Sequence, residues 1–184
     1  YSTDDKWLVP HFEKMLYDNA LLLIAYLETY QITKNDFYKM TAEKITDYIF
    51  REMTDESGGF YCAQDADSEG QEGKFYVFTE DEIKNVLGTD DGEKFIDYFG
   101  VTPNGNFEGK NILNLLNNDS YDKHSDYIEN SIPKLYNYRL TRTKLHKDDK
   151  ILTSWNALMI TAFAKAYEIL GETKYLNAAE KGMK

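Results

Sequence analysis

The chain has 184 residues, 42% of them hydrophobic and 29% charged, a length and balance that allow one sizeable core and exclude wholesale disorder. Its formal net charge of -11 sets it against nucleic-acid phosphates, and no run approaches the roughly 20 apolar residues of a membrane span. One cysteine, Cys62, excludes an internal disulfide and any Cys-x-x-Cys pair, and a reducing, cytoplasmic setting is expected.

In chain order, the spacing of Phe12, Met15, Leu16, Asn19, Leu23, Tyr26, Leu27 and Tyr30 predicts a helix from Pro10 to about Thr33. Leu21, Leu22, Ile24 and Ala25 make it apolar nearly all round, the mark of an inner helix. A second helix, Asp36 to Met53, carries one wet face, and the short link makes the two an antiparallel hairpin. Between Thr54 and Lys74 the chain turns to Gly, Ser, Asp and Glu, and the flanking runs Phe60-Tyr61-Cys62 and Phe75-Tyr76-Val77-Phe78 are expected to pair as a small β-hairpin. Thr79 with Glu82, and Asp90 with Glu93, read as capping boxes of two short helices ending at Leu87 and Gly100. Pro103 to Asn118 reads as loop with room for one short strand. A helix follows from Ser125 to Thr143, kinked or restarted at Pro133. Ser154 to Leu170 forms another, stopped by Gly171, and a last helix starts near Thr173.

A repeat runs through this pattern. Aligned without gaps, Asn19-Ala20-Leu21 matches Asn156-Ala157-Leu158, Tyr30 matches Tyr167, and Ala42-Glu43-Lys44 matches Ala179-Glu180-Lys181. Helical hairpins repeated in this way need neighbours to bury their inner faces, so the chain is expected to be part of a larger α/α array, with a tendency to self-associate.

Three segments carry candidate chemistry. On the expected first helix His11, Lys14 and Asp18 share a face, and a histidine beside a carboxylate suits general acid/base work, with Glu13 nearby. In the acidic loop, Asp65, Asp67, Glu69 and Glu72 crowd between glycines and the aromatics Phe60, Tyr61, Phe75 and Tyr76. Paired carboxylates serve glycosyl chemistry. The start of a calcium loop is imitated there too, but Tyr76 stands at the twelfth position where a bidentate Glu is needed, so no metal site is assigned. The third segment, His146 to Asn156, offers Asp148 and Asp149 to hydroxyls and Trp155 to a sugar face; its bland alternative makes Ser154 an N-cap and Trp155 core. No phosphate loop, zinc spacing or Ser-His-Asp order stands out, and no cofactor is assigned.

Taken together these segments resemble the YyaL family of spermatogenesis-associated thioredoxin-domain proteins. The carrying residues are Tyr1 to Asp4 with Trp7 to Asp18, then Asp65 to Gly70 with Glu72-Gly73, then Asp148 to Asn156. Leu145 and Ala157 depart from the proline and glycine common at those places. The resemblance implies an all-α fold, part of an (α/α)6 six-hairpin toroid like that of N-acylglucosamine 2-epimerases and several glycosidases, over residues 1–184. In the whole protein a thioredoxin-like domain would precede it. It implies a sugar-like small-molecule substrate, with His11, Asp65 and Asp67 as acid/base residues. Glu13, Asp18, Tyr61, Glu69, Glu72, Asp148, Asp149 and Trp155 would bind the substrate. The alternative it leaves is a non-catalytic scaffold serving the thioredoxin-like domain.

Overall fold

A computed structural model describes residues 1–184 and shows a mostly helical chain with two small antiparallel sheets. It divides into two compact units, Tyr1–Phe12 with Ala66–Leu145, and Glu13–Asp65 with His146–Lys184. No helix is long and apolar enough to cross a membrane.

The second of these units is built from the repeat. β1 (Lys14–Met15) leads into α1 (Leu16–Thr33), followed by α2 (Asp36–Tyr48) and a π-helical turn, Ile49–Met53. β2 (Ala63–Gln64) follows, and the chain returns to this unit with β5 (Lys147–Asp148), α6 (Thr153–Leu170) and α7 (Thr173–Gly182). α1 and α6 are each 18 residues long, and α2 and α7 begin at the same distance after them. The two inner helices run side by side and parallel. Tyr17 meets Trp155 edge-on at 4.8 Å near their N-termini, and Lys165 Nζ meets Glu28 Oε1 at 2.5 Å towards their C-termini. The core between them holds Leu16, Leu23, Leu27, Met159 and Phe163 with Ile49, Met53, Phe60 and Tyr175 from the surrounding elements.

The first helix starts later than its periodicity predicts. Lys14 and Met15 are taken by a three-stranded sheet of order β1-β2-β5, and the N–H of Leu16 donates to the Cys62 carbonyl. Pro10 and His11 are extended instead: Pro10 bridges to Ser2 and the His11 N–H donates to Tyr1 O. Pairing with a strand distant in sequence has overridden a local first-turn preference. At the other repeat, Leu152 occupies the N-cap position and Ser154 lies in the first turn of α6, without a capping bond. Gly171, at φ 78°, closes α6 as expected.

The other unit contains β3 (Asp67–Ser68), β4 (Gln71–Glu72), α3 (Glu80–Leu87), α4 (Thr89–Tyr98) and α5 (Asp126–Arg139). The expected hairpin between the two aromatic runs is replaced by a tighter one inside the acidic loop. Asp67 pairs with Glu72 and Ser68 with Gln71 around Glu69 and Gly70, both at positive φ (54° and 74°), the pattern of a type I′ turn. Phe78 instead bridges to Asn111. The Thr79–Glu82 capping box is present in full, whereas the Asp90–Glu93 box is not: Gly88 precedes α4 and no side chain caps it. α5 runs through Pro133 and stops at Arg139. Phe78, Ile83, Leu87, Phe95, Val101, Ile128 and Leu135 form one core here, and Phe12, Ala66, Val77 and Ile112 a smaller one.

Candidate functional site

His11 shares no helix face with Lys14 and Asp18, because the chain at His11 is extended and Lys14 lies in β1. The partner it finds is Glu72. Its Nδ1 lies 3.0 Å from Glu72 Oε1, and its ring stacks on Tyr1 with centroids 5.1 Å apart. Glu72 is in turn placed by the β3–β4 hairpin, directly across from Asp67. Two carboxylates facing one another across a ladder repel, and an imidazole bonded to one of them offsets that repulsion.

Gly73 fixes the approach. At φ 73° it is in the left-handed region, and a Cβ there would stand 2.6 Å from the Phe12 ring. Phe12 is buried against Tyr76 and Phe107, so the residue next to His11 anchors the segment that carries it. Glu72 also lines a shallow cleft with Gln71, Lys74, Val77, Phe107 and Lys110. Behind the hairpin a larger cleft of about 330 Å³ is lined by Glu69, Lys74, Glu82, Tyr138 and Arg142. Its floor is a network that sequence reasoning missed. Arg142 donates to the carbonyls of Phe75 and Val77 and to Glu82 Oε1, and lies over the Phe78 ring at 4.5 Å. Burial raises the Glu82 carboxyl, but the Thr79 N–H, Arg142 and the Tyr138 hydroxyl outweigh it and hold the group below its ordinary value. No periodicity signals this arginine, since its partners are carbonyls more than 60 residues away.

Asp67 is exposed on β3, while Asp65 belongs to the helical-hairpin unit, its N–H donating to His146 O. Glu69 occupies the hairpin turn and pairs with Lys74 at 2.5 Å, which with the Thr143 contact lowers its pKa. Glu13 and Asp18 are half-buried, Asp18 in the first turn of α1. Tyr61 donates to Asp55 Oδ2 at 2.7 Å and lies under Lys147, so its hydroxyl is already committed. Asp55, which also accepts from Ser57, is held down to about 2. Trp155 packs against the core and Tyr17, the bland alternative for that residue.

Asp148 is bonded to Lys150 at 3.0 Å and accepts from the Cys62 thiol; Lys150 first, then Cys62, lowers its pKa. Burial, then Asp148, pushes the thiol up to about 11. Asp149 is exposed beside it. Asn156, to which no role was assigned from the sequence, is a fully committed buried polar residue of the unit. Its Oδ1 accepts from Phe60 N–H at 2.7 Å, and its Nδ2 donates to Phe60 O and Leu152 O.

No family model matches the chain. Spermatogenesis-associated protein 20 of Homo sapiens is 34% identical over 218 residues, covering 100% of this chain and 28% of that protein. The Mus musculus protein of the same name matches at the same identity and coverage. An uncharacterized protein of Caenorhabditis elegans is 35% identical over 215 residues, covering 98% of this chain and 29% of its own length. The chain belongs to the spermatogenesis-associated protein 20 family. It spans less than a third of the length of these relatives.

Proposed function

We propose that the chain is part of an α/α toroid that isomerises or epimerises a sugar, with His11 as the proton-transfer residue. The observation that carries this reading is the His11–Glu72 pair beside a cleft that Glu72 itself lines. With Nδ1 donating to the carboxylate, the basic lone pair falls on Nε2, and the imidazolium formed after proton abstraction is stabilised by Glu72. The substrate would be an open-chain sugar whose C–H next to the carbonyl gives up its proton. Asp67, across from Glu72, would accept from a hydroxyl, and Lys110 in the same cleft would favour the developing enediolate. A hydrolase would instead need a protonated carboxyl near the scissile oxygen, and the carboxylate here is bound to histidine. The parallel, repeated hairpins support the toroid.

The test uses the full-length protein in deuterium oxide with a panel of aldoses, ketoses and N-acyl amino sugars. Deuterium incorporation next to the carbonyl, followed by proton NMR, is expected, and His11→Gln lowers its rate about a hundredfold or more. Incorporation that His11→Gln leaves unchanged would remove His11 from the chemistry, and absence of incorporation with every sugar would sink the reading.

A further inference from the structure

The cleft that Glu72 lines and the larger cleft of about 330 Å³ meet at Lys74 and Lys110, which line both. The whole chain has 32 acidic and 21 basic residues, yet the larger cleft inverts that balance: Lys74, Lys110 and Arg142 face two carboxylates, Glu69 and Glu82. The net charge of -11 turns away a polyanion, whereas a small anion can enter a pocket whose own charge is positive.

The three cations are not equally available. The Arg142 fork is spent on the carbonyls of Phe75 and Val77 and on Glu82. The Lys74 ammonium is held by Glu69 in a partly exposed ion pair, a kind that contributes little and is readily given up to a stronger anion. Lys110 is half-buried and belongs to no ion pair, although its charge is felt at Glu82. Its main chain is pinned. The N–H donates to Phe107 O, the carbonyl accepts from the N–H groups of Asn106 and Phe107, and buried Asn111 follows, paired both ways with Phe78. Gly105, at φ 74°, permits this close turn, since a Cβ there would strike the Lys110 carbonyl. A half-buried ammonium on a fixed turn, with no carboxylate of its own, favours an anionic ligand.

We infer that the larger cleft receives the phosphate group of a phosphorylated open-chain sugar, bound by Lys110 and Lys74, while the sugar's carbonyl end lies at His11. The sugar half of this rests on the isomerase reading; the phosphate half rests on the clefts alone. The donors left free favour phosphate over carboxylate. A planar carboxylate is matched best by an arginine fork, and that fork is committed, whereas ammonium groups act as point charges and suit a tetrahedral phosphate.

Calorimetric titration of the full-length protein at low salt tests this, with inorganic phosphate, hexose 6-phosphates, the parent hexoses and hexuronates as ligands. The 6-phosphates are expected to bind about tenfold more tightly than the parent hexoses. Lys74→Gln and Lys110→Gln are each expected to reduce that ratio, and the double variant to abolish it together with binding of inorganic phosphate. Lys110→Arg keeps the charge and most of the ratio, and Lys134→Gln, on the exposed surface of α5, leaves it unchanged. Equal affinity for phosphorylated and parent hexoses, or a ratio that the double variant retains, would overturn the inference. Tighter binding of the hexuronates than of the 6-phosphates would overturn the choice of phosphate. Deuterium exchange, with the 6-phosphates added to the panel, reads the other half. Exchange into parent hexoses without a phosphate preference would keep the isomerase and overturn the phosphate cleft. A phosphate preference without exchange into any sugar would keep the cleft and overturn the sugar half.

Discussion

At the scale of single residues, the sites that do most are those whose partners lie far away in sequence. Cys62 reads in isolation as a small buried side chain, and it is buried, but its thiol also faces Asp148 across the β2–β5 pairing. Because folding raises the thiol from its ordinary 9.0 to about 11, the native state favours the protonated form. That contribution is present in full below pH 9 and is lost as pH rises towards 11. Native protein is therefore expected to resist iodoacetamide at pH 8.5 and to react promptly once unfolded in urea. Cys62→Ala is expected to flatten the fall in urea midpoint between pH 9 and 11; a fall of equal steepness in that variant would show that other groups cause it. His11 teaches the same lesson from the other side. Its assignment as a proton-transfer candidate was legible from residue type, but the partner suggested by spacing, Asp18, is not the one it bonds.

At the scale of elements, local signals succeeded where the whole signal lay within one turn. Thr79 accepts from the Glu82 N–H while Glu82 accepts from the Thr79 N–H, and both residues are visible in the sequence. Thr79→Ala is expected to cost about 1 kcal/mol, seen as a lower urea midpoint with an unchanged slope. A change below a few tenths would show that the Arg142 network, and not the cap, holds α3 in place. Asp90 and Glu93 have a similar spacing yet make no box, because Gly88, at φ 86°, precedes the helix and its carbonyl takes the Gly92 N–H. The acidic loop was legible as a site of β structure but not in its register. Glu69-Gly70 can adopt positive φ at both turn positions, and that decides for a tight hairpin over pairing of the aromatic runs.

At the scale of the whole chain, stability is distributed between two units that rest on different chemistry. The unit of helical hairpins depends on apolar burial along α1 and α6. The other depends in good part on Arg142, whose planar fork ties carbonyls of the 74–77 segment to Glu82. Lysine cannot reproduce that fork. Arg142→Lys is expected to cost about 2 kcal/mol and to open residues 66–145 to limited proteolysis before the hairpins. Glu82, with its pKa held below the ordinary 4.5, adds stability that is present above that value and lost as pH falls beneath it. Glu82→Gln should therefore remove part of the acid sensitivity of this unit, measured as tyrosine fluorescence against pH. An acid transition of unchanged midpoint would assign the sensitivity to other carboxylates.

The helices, the repeat between α1 and α6, and the residue types of the candidate site were determined by the sequence itself, because periodicity, a capping box and a gapless match are properties of neighbouring residues. Tertiary structure decided where α1 begins, which carboxylate meets His11, and how Asn156 and Arg142 are used. Those outcomes depend on strand pairing and on buried hydrogen bonds between segments that are distant in the chain. A donor or acceptor lost inside the core costs more than a local preference offers, so the distant partner prevails.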